Sequence, residues 1–313
     1  MPEAASSRPP DIYDVLIVGA GVAGCVLAVT FARQGRNVLL LERDLREPDR
    51  ILGELLQPGG VAALESLGLG DCLDGIDALP LRGYRLSYFG KETTFWYPRI
   101  ADYPIGYPTQ QTSPAKLALP PSEPKRTLGD EDERHEGKSF HHGRFIMKLR
   151  DAAMKEENVY AVEANATGLL WSSNHDKVIG IKSRETSTEG SKVTDYFAHL
   201  TVLADGQSSN LRSKVTSTKP ISKSRFYGLL MEGELSSCGL SLGVIGHGPP
   251  AGIYQIGKKD RYERIPPKKP SPFTAGGNAE VSRKRVEEKQ AEIDAKLLAP
   301  ALYDQVQGCA SIG

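Results

Sequence analysis

The sequence predicts an α/β fold, and three observations near its start support that class. An apolar, β-prone run at residues 14–18 enters a turn that contains Gly19, Gly21 and Gly24. An apolar helical segment follows the turn, and a second apolar run at residues 37–42 ends in an acid. A strand, a helix, a second strand and a terminal acid in this order form the Rossmann-like βαβ unit that binds a dinucleotide.

Each of these residues has a physical task toward a dinucleotide. Gly19 allows the tight turn, Gly21 removes a Cβ where the pyrophosphate approaches, and Gly24 lets the helix lie close to the strand. The start of the helix presents unpaired N–H groups and the positive end of its dipole to the phosphates. Glu42, at the end of the second run, would accept hydrogen bonds from the adenosine ribose.

The later elements are predicted from periodicity and from turn residues. A short helix at residues 61–67 is followed by Gly68 and Gly70, which typically end a helix. Loose alternation at residues 81–97 predicts two strands, and apolar residues along one side of residues 146–154 predict a helix. Four strand-like runs then follow, at residues 159–164, 166–171, 177–183 and 195–203.

Composition narrows the classes of function. The chain has 313 residues, and its 39 lysine and arginine residues balance 39 aspartate and glutamate residues. A neutral chain has no global basic field, so no nucleic acid partner is expected. The four cysteines form no C-x-x-C pair, which favours a reducing compartment over a disulfide framework or a zinc site. No signal peptide and no apolar run of about 18 residues is visible, so no transmembrane segment is expected.

A second motif with a glycine lies far down the chain. The apolar run at residues 198–203 leads into Ala204-Asp205-Gly206. A short turn there would place Asp205 and the backbone of Gly206 beside a cofactor that lies across the sheet. Asp-Gly is also a common hairpin turn, and that alternative stays open for the motif by itself. Together with the βαβ unit, the motif predicts FAD in a fold of the aromatic-hydroxylase type.

Three longer runs closely resemble squalene epoxidases, also called squalene monooxygenases. The runs lie at residues 45–60, 139–150 and 202–206. The resemblance extends roughly from residue 12 to residue 257, apart from the region near 108–138. It implies an FAD-dependent enzyme that uses molecular oxygen to oxidise squalene to 2,3-oxidosqualene in sterol biosynthesis.

The same resemblance implies partners and a location. Squalene epoxidases take electrons from a separate NADPH-dependent reductase and sit on the cytosolic face of the endoplasmic reticulum membrane. Squalene, molecular oxygen and such a reductase are therefore the expected partners. Membrane association is expected from the resemblance alone, and a chain as short as this one would otherwise be cytoplasmic.

The resemblance also implies roles for residues on the cofactor side. Glu42 and Arg43 would hold the adenosine end, and Arg50 and Arg150 would reach the FAD. A guanidinium suits this task because it stays charged and offers several donors. Two alternatives stay open: Arg50 as an exposed, salt-bridged loop residue, and Arg150 as a solvated cation near the end of a helix.

The candidate catalytic residues are Tyr84 and Gln57. Tyr84 matches the active-site tyrosine of the squalene epoxidases, and Gln57 matches the amide to which that tyrosine is hydrogen-bonded. A tyrosine between two strands is more often part of a core, so that alternative stays open. The neighbouring His141 and His142 suggest a metal, but adjacent side chains point apart and no further ligand follows at a suitable spacing. A structural role is favoured, and no metal is predicted.

The chain divides into five predicted regions. They are a disordered N-terminus at 1–11, an FAD-binding domain at 12–107 and 139–212, a disordered charged insertion at 108–138, a partial substrate sheet at 213–257, and a divergent, basic, proline-rich tail with a charged helix at 258–313. Disorder is predicted for the insertion because it is rich in proline and charge and poor in apolar groups. The expected architecture is a Rossmann-like FAD-binding domain with a partial β-sheet substrate domain.

The chain departs from the squalene epoxidase pattern after residue 257. The squalene epoxidases have a later Gly-Asp motif that holds the flavin ribityl and pyrophosphate, and no Gly-Asp pair follows Gly206 here. Their C-terminal apolar helices do not occur here either. We therefore expect a truncated or divergent chain with impaired activity. Two alternatives are a non-catalytic flavin- or nucleotide-binding remnant and a soluble flavin-dependent hydroxylase.

Overall fold

The computed structural model describes the part of the chain that carries the predicted motifs. The described residues are 11–51, 53–100, 134–185, 192–219, 221, 227–231, 233, 235 and 239–257. Three predicted features lie outside them: the N-terminus up to residue 10, residues 108–133 of the insertion, and the tail from 258 with its charged helix.

Twelve strands and four α-helices occur in the described residues. The strands are β1 (Ile12–Val18), β2 (Val38–Glu42), β3 (Leu55–Leu56), β4 (Leu79–Leu81), β5 (Gly83–Tyr88), β6 (Lys91–Trp96), β7 (Gly137–Ser139), β8 (Val159–Trp171), β9 (Val178–Glu185), β10 (Val193–Leu203), β11 (Leu240–Ile245) and β12 (Ala251–Ile253). The helices are α1 (Val22–Arg33), α2 (Pro58–Ser66), α3 (His142–Met154) and α4 (Arg212–Val215). None of these helices is long and apolar enough to cross a membrane.

Five strands close into a barrel in the order β1-β10-β9-β8-β2. Strand β1 lies between β2 and β10 and is parallel to both, so Ile17 is paired with Leu40 on one side and with Val202 on the other. Strand β8 is parallel to β2 in its first half and antiparallel to β9 in its second half. Strand β10 likewise leaves β9 to join β1. The predicted βαβ unit is confirmed, and the late strand returns to it.

Two of the predicted strands are one strand in the structure. Residues 159–164 and 166–171 belong to β8, and the prediction of a break at residue 165 is wrong. The register of β8 against β9 shifts between Ala166 and Gly168. Such a bulge bends a strand and lets it pass from one partner to another without ending it.

The apolar runs of β1 and β2 are buried on both faces, as in parallel sheets that are covered on both sides. Val15 and Ile17 pack with the buried residues of α1 and α3. Leu16 and Val18 point the other way and pack with residues of the other barrel strands. The two clusters hold β1 at the centre of the fold, where its carboxyl end delivers the glycine turn.

Two smaller sheets correct the predicted regions. Strand β5 is antiparallel to β6 and parallel to β11, and β11 is paired with β12. One sheet therefore contains residues 83–96 and 240–253, so the prediction that assigned these segments to separate domains is wrong. Strands β3, β7 and β4 form the other sheet. Because β7 begins at Gly137, the predicted insertion cannot extend to residue 138. Helix α2 begins at Pro58 rather than at residue 61, since proline is well tolerated in a first turn.

Candidate functional site

The glycine loop, residues 19–24, joins β1 to α1 and lies against the end of β10. Gly19 has a φ of +102°, a left-handed conformation that residues with side chains rarely adopt. A Cβ on Gly19 would lie 2.6 Å from the carbonyl oxygen of Ala204, so the loop touches the backbone just before Asp205. A Cβ on Gly24 would lie 1.8 Å from the carbonyl oxygen of Gly19. Glycine at these two positions is therefore needed for the fold of the loop itself.

The space in front of Gly21 is open. Gly21 precedes the first residue of α1 with an extended backbone, and no side chain caps the helix there. A Cβ at this position would meet no atom within 4 Å. The first N–H groups of an α-helix have no partner inside the helix and attract an anion to that end. An open helix start without side chains therefore fits the pyrophosphate of a dinucleotide.

Glu42 connects the end of β2 to the glycine loop. Its Oε2 accepts a hydrogen bond from the backbone N–H of Ala20 at 2.7 Å, and its Oε1 accepts one from the N–H of Asp44 at 3.2 Å. Each carboxylate oxygen has two lone pairs, so Glu42 retains acceptor capacity for a ribose hydroxyl. Arg43 is exposed beside it. Glu42 thus has a structural task in addition to the predicted ribose contact.

Arg150 is buried beneath the glycine loop, with 4% of its surface exposed. Its Nε donates to the carbonyl oxygen of Ala20 at 3.0 Å, and its Nη1 donates to the carbonyl oxygen of Arg46 at 2.9 Å. Its Nη2 lies 3.7 Å from Oε2 of Glu42. The alternative of a solvated cation is therefore wrong. Arg150 holds the loop, the end of β2 and the following connection in one arrangement.

The motif at Asp205 and Gly206 lies beside the glycine loop, since a Cβ on Gly19 would be 2.9 Å from the Cα of Asp205. Ala204 donates its N–H to the carbonyl oxygen of Val18 at 2.8 Å, which places the ends of β10 and β1 side by side. Gly206 has a φ of +75°, and its carbonyl oxygen accepts a hydrogen bond from Arg212. The next element after this motif is α4 and not a strand that pairs with β10. The hairpin alternative for this motif is therefore wrong.

Gln57 and Tyr84 lie in direct contact, and Tyr97 joins them. We call these three residues the amide–tyrosine cluster. Nε2 of Gln57 donates to Oη of Tyr84, and Oη of Tyr97 donates to Oε1 of Gln57 at 2.5 Å. The two tyrosine hydroxyls are 3.4 Å apart, and their rings meet edge to face with centroids separated by 5.8 Å. The two predicted catalytic residues are thus brought together.

Tyr97 was not among the residues predicted from the sequence. The signal that could have identified it is hairpin register: Tyr84 is paired with Phe95, so Tyr97 is its diagonal neighbour on the same face. That register cannot be read before the turn between β5 and β6 is known. Burial, and after it the hydrogen bond with Tyr84, raises the pKa of Tyr97, so its hydroxyl stays protonated and able to donate.

His141 and His142 flank the start of α3 and are partly buried. Burial lowers the pKa of both side chains, and the positive charge of Arg50 lowers that of His142 further. In the part of the chain that the structure describes, no group of three His, Cys, Asp or Glu residues could hold a metal ion. Arg50 itself is exposed on the connection after β2.

Glu54, just before β3, is a buried carboxyl whose titration should affect the stability of the fold. Only 5% of it is exposed, and burial raises its pKa, although a contact of 3.5 Å from Oη of Tyr254 acts in the opposite sense. A carboxyl with a raised folded-state pKa stabilises the fold while it is neutral, and this stability is lost as the pH rises through that pKa. We expect urea unfolding to show the stability of the native chain falling relative to that of Glu54→Gln as the pH rises above about 4, the ordinary pKa of a glutamate. Exposed Glu92→Gln should show no such trend, and a pH-independent difference for Glu54→Gln would contradict the assignment.

Sequence comparisons connect these features to known proteins. A family model described as FAD binding domain matches residues 12–238. The chain is 45% identical over 247 residues to the squalene epoxidase of Gibberella zeae. This match covers 78% of this chain and 47% of that protein. It is 44% identical over 249 residues to the squalene epoxidase of Aspergillus fumigatus, and this match covers 78% of this chain and 44% of that protein. It is 39% identical over 219 residues to the squalene monooxygenase of Mus musculus, covering 70% and 33%. The chain spans about half or less of the length of these curated relatives.

Comparison with solved structures supports the fold class. The p-nitrophenol 4-monooxygenase of Pseudomonas putida matches with a TM-score of 0.56 at 14% identity, over 88% of this chain and 62% of that one. A probable FAD-dependent monooxygenase from Pseudomonas aeruginosa matches with a TM-score of 0.53 at 17% identity, over 79% and 58%. These structural matches and the family match confirm the predicted fold class, and the family match confirms FAD as the cofactor. The sequence matches confirm the resemblance to squalene epoxidases.

Proposed function

We propose that this chain, which belongs to the FAD binding domain family, is the flavin-binding part of a squalene monooxygenase that forms 2,3-oxidosqualene. The observation that carries the proposal is the 45% identity to a squalene epoxidase over 247 residues. The open helix start at Gly21 supports it, because that space suits a cofactor pyrophosphate.

Different residues around the glycine loop would bind different parts of the cofactor. The glycine loop and the start of α1 would bind the pyrophosphate, and Glu42 with Arg43 would hold the adenosine end. Asp205 and the backbone of Gly206 would lie on the flavin side, where Arg50 is a further candidate donor. Arg150 would act from beneath the loop, since its described hydrogen bonds go to protein carbonyl oxygens.

Bound FAD, once reduced, activates molecular oxygen for transfer to an alkene, and the protein orients the alkene and excludes water. Squalene has no polar group, so its site must be shaped mainly by apolar surface. We assign Tyr84 to the active site, with its hydroxyl held by Gln57. An NADPH-dependent reductase would supply the electrons, and the cytosolic face of the endoplasmic reticulum membrane is the proposed location.

The test has two readouts. We expect the purified chain, supplied with FAD, to show a protein-bound flavin spectrum. With a reductase and NADPH, we expect it to convert squalene to 2,3-oxidosqualene more slowly than a version extended through the C-terminal region of the squalene epoxidases, with the product detected by mass spectrometry. Flavin binding without conversion by either version would contradict the monooxygenase assignment and favour a non-catalytic remnant. Hydroxylation of an aromatic compound in place of squalene would favour a soluble hydroxylase.

A further inference from the structure

We infer that Tyr97 is a positioning residue that holds the Gln57 amide beside Tyr84. The inference rests on the proposed function, because it is as an active-site group that Tyr84 gives this contact a catalytic consequence. The assignment depends on the hydrogen bonds that the amide makes to both tyrosines.

Gln57 has little else in the described structure to hold its side chain. It is exposed at the position before α2, and its side chain makes no capping hydrogen bond to that helix. The terminal torsion of a glutamine is broad and roughly two-fold, so the amide can present either its oxygen or its nitrogen to a neighbour. A second partner is therefore needed to hold the amide beside Tyr84.

Tyr97 is that partner. Its hydroxyl donates to Oε1 of Gln57 at 2.5 Å, and this leaves Nε2 to donate to Oη of Tyr84. Since burial raises the pKa of Tyr97, its hydroxyl remains a donor across the physiological range. The edge-to-face contact between the two rings keeps Tyr97 at this distance from the amide.

The direction of the hydrogen bonds has a consequence for Tyr84. Its oxygen accepts from the amide, so its own proton is not used by Gln57 and can point to a bound molecule. If the amide were reversed, Tyr84 would donate its proton to Oε1 instead. In the observed arrangement the Tyr84 hydroxyl is available as a donor in the active site.

The first test needs no turnover. In the FAD-loaded chain labelled with nitrogen-15, the side-chain amide signal of Gln57 is identified by its loss in Gln57→Leu. We expect Tyr97→Phe to shift this signal and to accelerate its hydrogen exchange. Tyr88→Phe, an exposed hydroxyl at the far end of the same hairpin, should leave it unchanged. An unmoved Gln57 signal in a folded Tyr97→Phe chain would overturn the inference.

The second test is a double-mutant cycle on squalene conversion. We expect Tyr97→Phe to lower kcat about tenfold with KM within about twofold, as for a group that acts on the reacting geometry. If Tyr97 acts through Gln57, the double variant Tyr97→Phe, Gln57→Leu should be no slower than Gln57→Leu alone. Independent, multiplying effects would overturn the inference. If neither this chain nor the extended version converts squalene, the proposed function fails and the amide signal alone decides the positioning role.

Discussion

Replacing Gly21 by valine is expected to abolish FAD binding while the cofactor-free chain stays folded. The backbone at Gly21 has a φ of −85°, which valine adopts without strain, and a Cβ there meets no protein atom within 4 Å. The valine side chain would instead fill the space in front of α1 and block its N–H groups. We expect the FAD affinity to fall at least about 100-fold, equivalent to about 2.7 kcal/mol. Unfolding free energy of the cofactor-free chain should change by less than about 1 kcal/mol.

Gly24→Val is the matched control in the same loop. Its Cβ would lie 1.8 Å from the carbonyl oxygen of Gly19, which is backbone and cannot move aside cheaply. We expect this variant to lose at least about 3 kcal/mol of stability or to be insoluble, a large effect for one substitution. Urea unfolding and a flavin titration measure both quantities. A Gly21→Val chain that keeps one flavin per protein would show that the pyrophosphate site is wrongly assigned.

The glycine loop could be predicted from the sequence because its requirements are local. Each glycine is required by a turn, a close backbone contact or an open helix start within a few residues of it. The spacing of the glycines is therefore enough to predict the loop. The burial of β1 on both faces is equally visible as an unbroken apolar run. The sequence also indicated that Asp205 returns to the loop, but only in combination with the first motif.

Features that depend on distant pairing were not visible. The register that brings Tyr97 beside Tyr84 depends on the turn between β5 and β6, and the pairing of β5 with β11 joins segments more than a hundred residues apart. Periodicity reports which face of an element is apolar, but it does not report which element covers that face. For the same reason the predicted domain boundaries divided a sheet that the structure shows to be continuous.

Arg150 was predicted as a cofactor ligand, and its contacts reveal a structural task that residue type alone could not show. An arginine in an amphipathic helix is usually solvated. Here the residues around it on α3 are buried, and the guanidinium reaches two carbonyl oxygens and approaches a carboxylate. The glycine loop is thus held at Ala20 by two hydrogen bonds. The N–H of Ala20 donates to Glu42, and the carbonyl oxygen of Ala20 accepts from Arg150.

Arg150→Met is therefore expected to destabilise the chain strongly even without cofactor. The substitution would leave the carboxylate of Glu42 without its cation and two carbonyl oxygens without their donor. Breaking a buried charge pair by removing one partner typically costs about 3–5 kcal/mol, and we expect a loss in that range by urea unfolding. Arg150→Lys should recover only part of this stability, because a single ammonium cannot reach three acceptors in the geometry of a planar guanidinium.

Arg46→Ala is the control for this prediction. The Arg46 side chain is 86% exposed and pairs with Asp44 at 2.7 Å, and exposed pairs contribute at most about 1 kcal/mol. Its backbone carbonyl, which accepts from Arg150, is unaffected by the substitution. We also expect Glu42→Gln in the Arg150→Met background to restore some stability, since it removes the unpaired charge while keeping an acceptor for the N–H of Ala20. If Arg150→Met were no more harmful than Arg46→Ala, the glycine loop would not depend on the buried guanidinium, and a role in direct cofactor contact would be the better explanation for this arginine.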